Sequence, residues 1–250
     1  MRTSEFTNEP VITWDDNGAP RSVRFDDKYF CQENGYDEAI YVCCNLNALE
    51  ARFKALPVES PGTFTIVETG FGTGLDFCCA RQVWEANAPP SWIMHFISLE
   101  RYPLSAEQLG RALGHWTQLA QFANELAAAY IPKATGSQDL FFKDGHVHLT
   151  IIFDDVIAAL EKILQDRLAG AGADALFLDG FAPSKNPAMW TPEVFRLLAA
   201  LSRPGTTLST FTVAGFVRRG LEAQGFSLIK KPGHGKKSEL LTGIFSDRKS

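Results

Sequence analysis

From Thr63 onward, short runs that are nearly continuous in apolar character alternate with stretches whose apolar residues recur at i, i+3 and i+4. The runs Thr63–Thr69, Trp92–Leu99, His148–Phe153, Ala173–Leu178, Thr206–Thr212, Ser227–Lys230 and Leu240–Phe245 are short and often β-branched, as strands buried on both faces are. The helical spacing falls at Leu75–Glu85, Leu119–Tyr130, Val156–Leu168, Pro192–Leu201 and Val213–Gln224. This alternation predicts an α/β sheet, mostly parallel, with helices on both faces. The last two strands are joined by Lys231–Glu239, too short for a crossover helix, so they are expected to pair as an antiparallel hairpin.

Before residue 60 the pattern differs. Val11–Trp14 and Ser22–Phe25 flank Asn17-Gly18, a strong hairpin dipeptide, and Asp37–Ala55 has helical spacing. Residues 1–60 are therefore expected to form a small cap of hairpin and helix, packed on a main domain spanning 61–250.

Composition narrows the class. Of 250 residues 45% are hydrophobic and 21% charged, enough for one full core. No stretch approaches the ~20 apolar residues that span a bilayer, and the start lacks a basic segment followed by an apolar one. Together with five cysteines that show no C-x-x-C spacing, this predicts a cytoplasmic chain with reduced thiols and no membrane partner. The histidines show no ligand-like or triad-like spacing, so no metal is expected.

The net charge of −5 argues at first against a polyanionic partner. By segment it reads differently: residues 1–202 hold 15 basic and 26 acidic side chains, residues 203–250 hold 9 and 3. The late pairs Arg218-Arg219, Lys230-Lys231 and Lys236-Lys237 either line a phosphate-binding face or sit on an ordinary solvated surface.

Candidate chemistry gathers at strand ends. The first parallel strand runs into Glu68-Thr69-Gly70-Phe71-Gly72-Thr73-Gly74 and then a helix, which turns backbone N–H groups outward. The spacing is G-x-G-x-G, whereas the dinucleotide fingerprint is G-x-G-x-x-G. Glu68 also repels a diphosphate and attracts an ammonium group, which disfavours a nicotinamide or flavin oxidoreductase; a plain tight turn is the alternative reading. Glu100 ends the second strand, where a carboxylate accepts from ribose hydroxyls, and Asp155 follows the third, either near an adenine amino group or as a helix N-cap. Asp179 ends the fourth strand and opens a stiff segment, Gly180 to Trp190, where Phe181 or Trp190 offers a stacking surface unless Trp190 fills the core. A carboxylate at Asp179 can hold an ammonium, orient its nitrogen and take its proton during transfer to that nitrogen.

Three motifs carry a resemblance: Gly70-Phe71-Gly72-Thr73-Gly74-Leu75, then Phe177 to Pro183 with Lys185-Asn186-Pro187 and Met189-Trp190, then Thr210-Phe211-Thr212 with Ala214 to Leu221. With Phe25-Asp26-Asp27, Tyr29-Phe30, Asn34-Gly35 and Tyr41-Val42, they resemble the bacterial tRNA 5-methylaminomethyl-2-thiouridine methyltransferase family across nearly the whole chain. The resemblance implies a Rossmann-like class I S-adenosylmethionine methyltransferase fold. It implies methyl transfer from S-adenosyl-L-methionine to the aminomethyl nitrogen of 5-aminomethyl-2-thiouridine at the tRNA wobble position. It puts Glu68, Gly70, Phe71, Gly72, Thr73, Gly74, Glu100 and Asp155 at the cofactor and Asp179 at the reacting amine. Tyr29, Phe30, Phe181, Lys185, Asn186, Met189, Trp190, Arg218, Arg219, Lys236 and Lys237 are then expected to face the anticodon loop of the tRNA. An FAD-dependent oxidase, fused in many family members, is the implied partner. Asp76, Ala188 and Thr69 depart from the family pattern, and Ala188 puts a substrate contact at that position in doubt. A methyltransferase of another amine, or a non-catalytic binding module with Asp179 as a helix cap, are the competing readings.

Overall fold

Neighbouring apolar residues within each β-rich run face opposite sides of one sheet, because the side-chain period of a strand is two. The computed structural model describes residues 10–31, 33–233 and 238–246. It begins with β1 (Ile12–Trp14), β2 (Pro20–Ser22) and β3 (Asp27–Lys28), which form a small antiparallel sheet. The Asn17-Gly18 turn forms as expected: the Asp15 carboxylate accepts from the N–H of Asn17 and Ala19, and Gly18 takes a φ of +82°. The second arm is Pro20–Ser22 rather than Ser22–Phe25, because the Ser22 hydroxyl accepts the Phe25 N–H at 3.3 Å and turns the chain away.

The single helix expected over 37–55 is three pieces: α1 (Gly35–Ala39), a π-helical turn at Ile40–Asn45, and α2 (Leu49–Lys54). Asn47 breaks the run. Its amide donates to the Cys43 carbonyl at 2.9 Å and the Ser209 hydroxyl at 2.7 Å, and Ala48 then adopts a φ of +52°.

The main sheet starts with β4 (Gly62–Glu68), followed by α3 (Leu75–Asn87), β5 (Trp92–Leu99), α4 (Ala106–Leu113) and α5 (Ala120–Ala129). Next come β6 (Gly136–Phe142), β7 (Val147–Phe153), α6 (Val156–Gln165), β8 (Ala173–Leu178) and α7 (Pro192–Ala200). The chain closes with β9 (Ser202–Thr210), α8 (Gly215–Ala223), β10 (Phe226–Pro232) and β11 (Glu239–Phe245). The strand order is β10-β11-β9-β8-β4-β5-β7-β6. Pairings from β9 through β8, β4 and β5 to β7 are parallel, while β6, β10 and β11 pair antiparallel. The final hairpin forms as expected, with β11 inserted next to β9.

β6 and α4 were not legible as elements in the apolar pattern. β6 is an edge strand whose Gln138, Leu140 and Phe142 point inward between exposed residues, and α4 is fixed by a Ser105–Gln108 capping box.

Phe64, Ile66, Phe96, Ile151 and Phe177 face one core shared with α1 to α5. Val67, Ile97, Ile152 and Leu176 face a second core shared with α6, α7 and α8. The chain leaves the central strand β4 toward β5 and β7 on one side and reaches β8 and β9 on the other. At such a switch point the carboxyl ends of adjacent strands diverge and leave a crevice. No helix among the described residues is long and apolar enough to cross a membrane.

Candidate functional site

The glycine loop sits at the carboxyl end of β4. Gly72 and Gly74 adopt φ values of +52° and +75°, a region where an L side chain is strained, and Gly74 is the N-cap of α3. A Cβ on Gly70 would lie 3.1 Å from the Asp179 carbonyl oxygen, and the Thr69 hydroxyl donates to that same oxygen at 2.7 Å. The carboxyl ends of β4 and β8 are thereby locked side by side. The Phe71 N–H donates to the Leu99 carbonyl at 2.8 Å, and its ring is buried against Tyr130.

Glu100, just after β5, reaches back to this loop. One carboxylate oxygen accepts the Gly72 N–H at 2.9 Å and the other accepts the Tyr102 N–H at 2.7 Å. Each oxygen keeps a lone pair for a further donor. Burial raises the Glu100 pKa, and these backbone donors oppose the rise.

Glu68 is 1% exposed and accepts the Ser98 hydroxyl at 2.5 Å. Burial first, then the charge of Asp76, push its pKa well above the usual carboxylate range. The sequence offered Asp76 only as a departure from a motif. It stands in the first turn of α3, lines the same cavity, and accepts the Cys43 thiol at 2.9 Å. Its signal was positional: two residues past the last loop glycine, on the first turn of the helix.

Asp155 is the N-cap of α6, with one oxygen accepting from Ile157 and Ala158 N–H at 3.1 Å each. The capping alternative is therefore realised. The second oxygen accepts from Arg101 at 3.3 Å, and Asp155 lines the cavity.

Asp179 follows β8 and opens the Pro-rich segment. Phe181 is stacked on Phe25 with ring centroids 4.7 Å apart, and Tyr29 meets it edge-on at 5.2 Å. Met189 packs on Gly180, where a Cβ would come within 2.8 Å of its methyl group. Trp190 is 5% exposed in the second core and donates to the Phe181 carbonyl at 3.2 Å, so it braces the loop from beneath.

A single cavity of about 1190 Å³ brings together Gly70, Gly72, Glu100, Asp155, Asp179 and Phe181, and Tyr29, Asn186 and Met189 also line it. Other expected residues stand elsewhere or are already engaged. Phe30 reaches the cavity wall but is 9% exposed and packs edge-on against Trp116 at 4.5 Å, so its ring serves the core. Lys185 is held by Asp26 at 2.8 Å. Arg218 and Arg219 are exposed on α8 outside the cavity lining, and Arg218 is bound to Glu222 at 2.8 Å. Lys236 and Lys237 lie outside the described residues.

Two histidines do meet, His95 on β5 and His148 on β7, stacked at 4.2 Å. Burial, then His148, lower the His95 pKa to about 4. Neither lines the cavity, and no group of three or more potential metal ligands occurs among the described residues.

Comparison with known proteins adds to this geometry. Residues 117–246 match the model of a family described as S-adenosyl-L-methionine-dependent methyltransferase. The tRNA 5-methylaminomethyl-2-thiouridine biosynthesis bifunctional protein MnmC of Pseudomonas syringae pv. tomato is 46% identical over 240 residues, which are 96% of this chain and 35% of that protein. The protein of the same name from Methylobacillus flagellatus is 45% identical over 239 residues, 96% and 35% of the two chains. The chain spans about a third of the length of these curated relatives. A crystal structure described as MNMC2 from Aquifex aeolicus shares the fold, with a TM-score of 0.68 over 94% of this chain and 70% of that one, at 20% identity.

Proposed function

Since the chain belongs to the S-adenosyl-L-methionine-dependent methyltransferase family, we propose that it methylates the aminomethyl nitrogen of 5-aminomethyl-2-thiouridine at the wobble position of tRNA, yielding 5-methylaminomethyl-2-thiouridine. Relatives 45–46% identical over nearly the whole chain bear names that refer to this nucleoside's biosynthesis. The observation that supports the reading is the lock between β4 and β8, in which the Asp179 backbone meets Thr69 and Gly70 while Asp179 and the glycine loop line one cavity.

The residues present fit S-adenosyl-L-methionine. Gly70, Gly72 and Thr73 of the loop line the cavity, while Gly74 packs against Leu126 and Phe71 outside it, and Glu100 has acceptor capacity for two hydroxyls. Glu68 and Asp76 line the inner wall, where a bound ammonium would stabilise their ionised forms and a diphosphate would be repelled by them, which favours a cofactor bearing an ammonium. The second Asp155 oxygen, which accepts from Arg101, keeps a further lone pair for an adenine amino group. Bound there, the cofactor supplies an electrophilic methyl group on a sulfonium sulfur.

Amine methylation needs a neutral nitrogen lone pair, whereas an alkylamine is largely protonated at neutral pH. Asp179 holds the ammonium, takes or relays one proton to free the lone pair, and orients the neutral nitrogen for in-line attack on the methyl group as the carbon–sulfur bond breaks. Phe181, braced by Phe25 and Trp190, presents a flat wall on which a splayed-out base can stack. Because the relatives are named bifunctional, an FAD-dependent oxidase supplying the aminomethyl substrate is the proposed partner, and the cytoplasm the proposed site of action.

The decisive experiment incubates the protein with S-adenosyl-L-methionine and tRNA bearing the aminomethyl nucleoside, followed by mass analysis of the wobble nucleoside. Gain of one methyl group is expected. Absence of product, with S-adenosylhomocysteine still bound, would overturn the tRNA reading and leave a methyltransferase of another amine.

A further inference from the structure

The cavity wall is acidic: Glu68, Asp76, Glu100, Asp154, Asp155 and Asp179 all line it. That suits an ammonium and repels a phosphate, so an RNA strand delivering its base needs cationic side chains at the rim. Among the described residues three cations line the cavity, namely Arg24, Lys28 and Arg101. Lys28 is bound to Asp15 at 2.5 Å and Arg101 to Asp155 at 3.3 Å. Among the described residues no carboxylate pairs with Arg24. Its guanidinium lies over the Tyr102 ring instead, 4.5 Å from the centroid.

This placement differs chemically from an ion pair. A cation over a ring engages the face of the guanidinium, while its N–H donors lie in the guanidinium plane at the edge. The planar fork that matches a phosphate is thus kept in place without being consumed. Tyr102 in turn contacts Phe25 at 5.8 Å, and Phe25 stacks on Phe181 at 4.7 Å. A chain of rings therefore runs from the exposed Arg24 to the segment that begins with Asp179.

We propose that Arg24, held on Tyr102 at the cavity mouth, binds a backbone phosphate of the RNA strand next to the reacting nucleoside, with the Phe25–Phe181 stack beside the base. The inference rests on the tRNA reading above and assigns a docking edge to the N-terminal segment around Arg24. Arg218 and Lys230 of the late basic pairs are already bridged, to Glu222 and Glu239.

The test is methylation of hypomodified tRNA by the whole protein at several salt concentrations. Each phosphate contact to a single strand contributes about 0.7 to the slope of log affinity against log salt. Arg24→Ala is therefore expected to raise KM for tRNA about fivefold at 0.1 M salt, with the slope shallower by about 0.7. Arg24→Lys keeps the charge and restores the slope in part. Arg196→Ala removes the same charge from the Glu193 pair outside the cavity and leaves both quantities unchanged. Retained S-adenosylhomocysteine binding verifies that each variant is folded. An Arg24→Ala enzyme with wild-type KM and slope, or with a KM increase independent of salt, would overturn the inference while the tRNA reading stands. A wild-type protein that binds S-adenosylhomocysteine yet does not methylate tRNA removes both.

Discussion

Asp26 accepts from Lys185 at 2.8 Å, and this ion pair joins the N-terminal sheet to the loop that follows Asp179 across 159 positions of sequence. The neighbouring Asp27 carboxylate accepts the Ala182 N–H at 3.1 Å, so two consecutive acids grip the same loop. Lys185, and then Arg21, hold the Asp26 carboxyl down at about 2, so the clamp is charged at any ordinary pH. Asp26 pays a backbone cost for this position, with a φ of +49°.

A clamp and an independent phosphate contact predict different genetics. If Lys185 acts through Asp26, then Asp26→Ala and Lys185→Ala each lower kcat/KM a few-fold and the double variant is little worse than either. The pair is largely solvent-exposed, so melting temperatures should scarcely move. Multiplicative losses in the double-mutant cycle would instead return Lys185 to direct contact with RNA.

Asp179→Asn removes the acceptor for the amine proton but keeps the size of the side chain. The expected loss in kcat is about 10²- to 10⁴-fold, with S-adenosylhomocysteine affinity retained. Near-normal turnover would exclude a base or orienting role.

Glu100→Gln replaces one of two acceptor oxygens by a donor, so either the Gly72 or the Tyr102 N–H loses its partner. One unpaired buried group costs enough to weaken S-adenosylhomocysteine binding by roughly 10- to 100-fold in calorimetry. Unchanged affinity would place the cofactor's ribose elsewhere.

Glu68 gives a pH signature. Its pKa is raised in the folded protein, so between the ordinary carboxylate value and the raised one the folded state binds more protons than the unfolded. Stability contributed by the protonated form is complete below the ordinary value and is lost as pH rises through that window. Glu68→Gln, still able to accept from Ser98, is expected to flatten the melting temperature against pH and to melt above the wild type at pH 7 without cofactor. Parallel curves for the two proteins would contradict this.

Much of the fold was legible because buried parallel strands and amphipathic helices leave strong periodic signals. β5 and β8 have the bounds the apolar pattern predicts, β4 is offset by one residue at both ends and β7 gains one residue at its start. β6 was not legible, since an edge strand alternating exposed and buried residues looks like polar loop. The break at Asn47 was hidden too, because its cause is a hydrogen bond to Ser209, 162 positions away.

The same division holds at the candidate site. The sequence by itself determined the glycine loop and the acids at strand ends, because those depend on local order: a strand, a turn, then a helix. Tertiary structure alone decided which groups are engaged and which are presented. It buried Glu68, turned Asp155 into a helix cap, spent Lys185 on Asp26 and stacked Phe181 on Phe25. It also set Arg24 on Tyr102 without a carboxylate among the described residues. The physical reason is that charge and stacking act through space over a few ångströms, and only the folded sheet brings residues 24, 102 and 181 within that range.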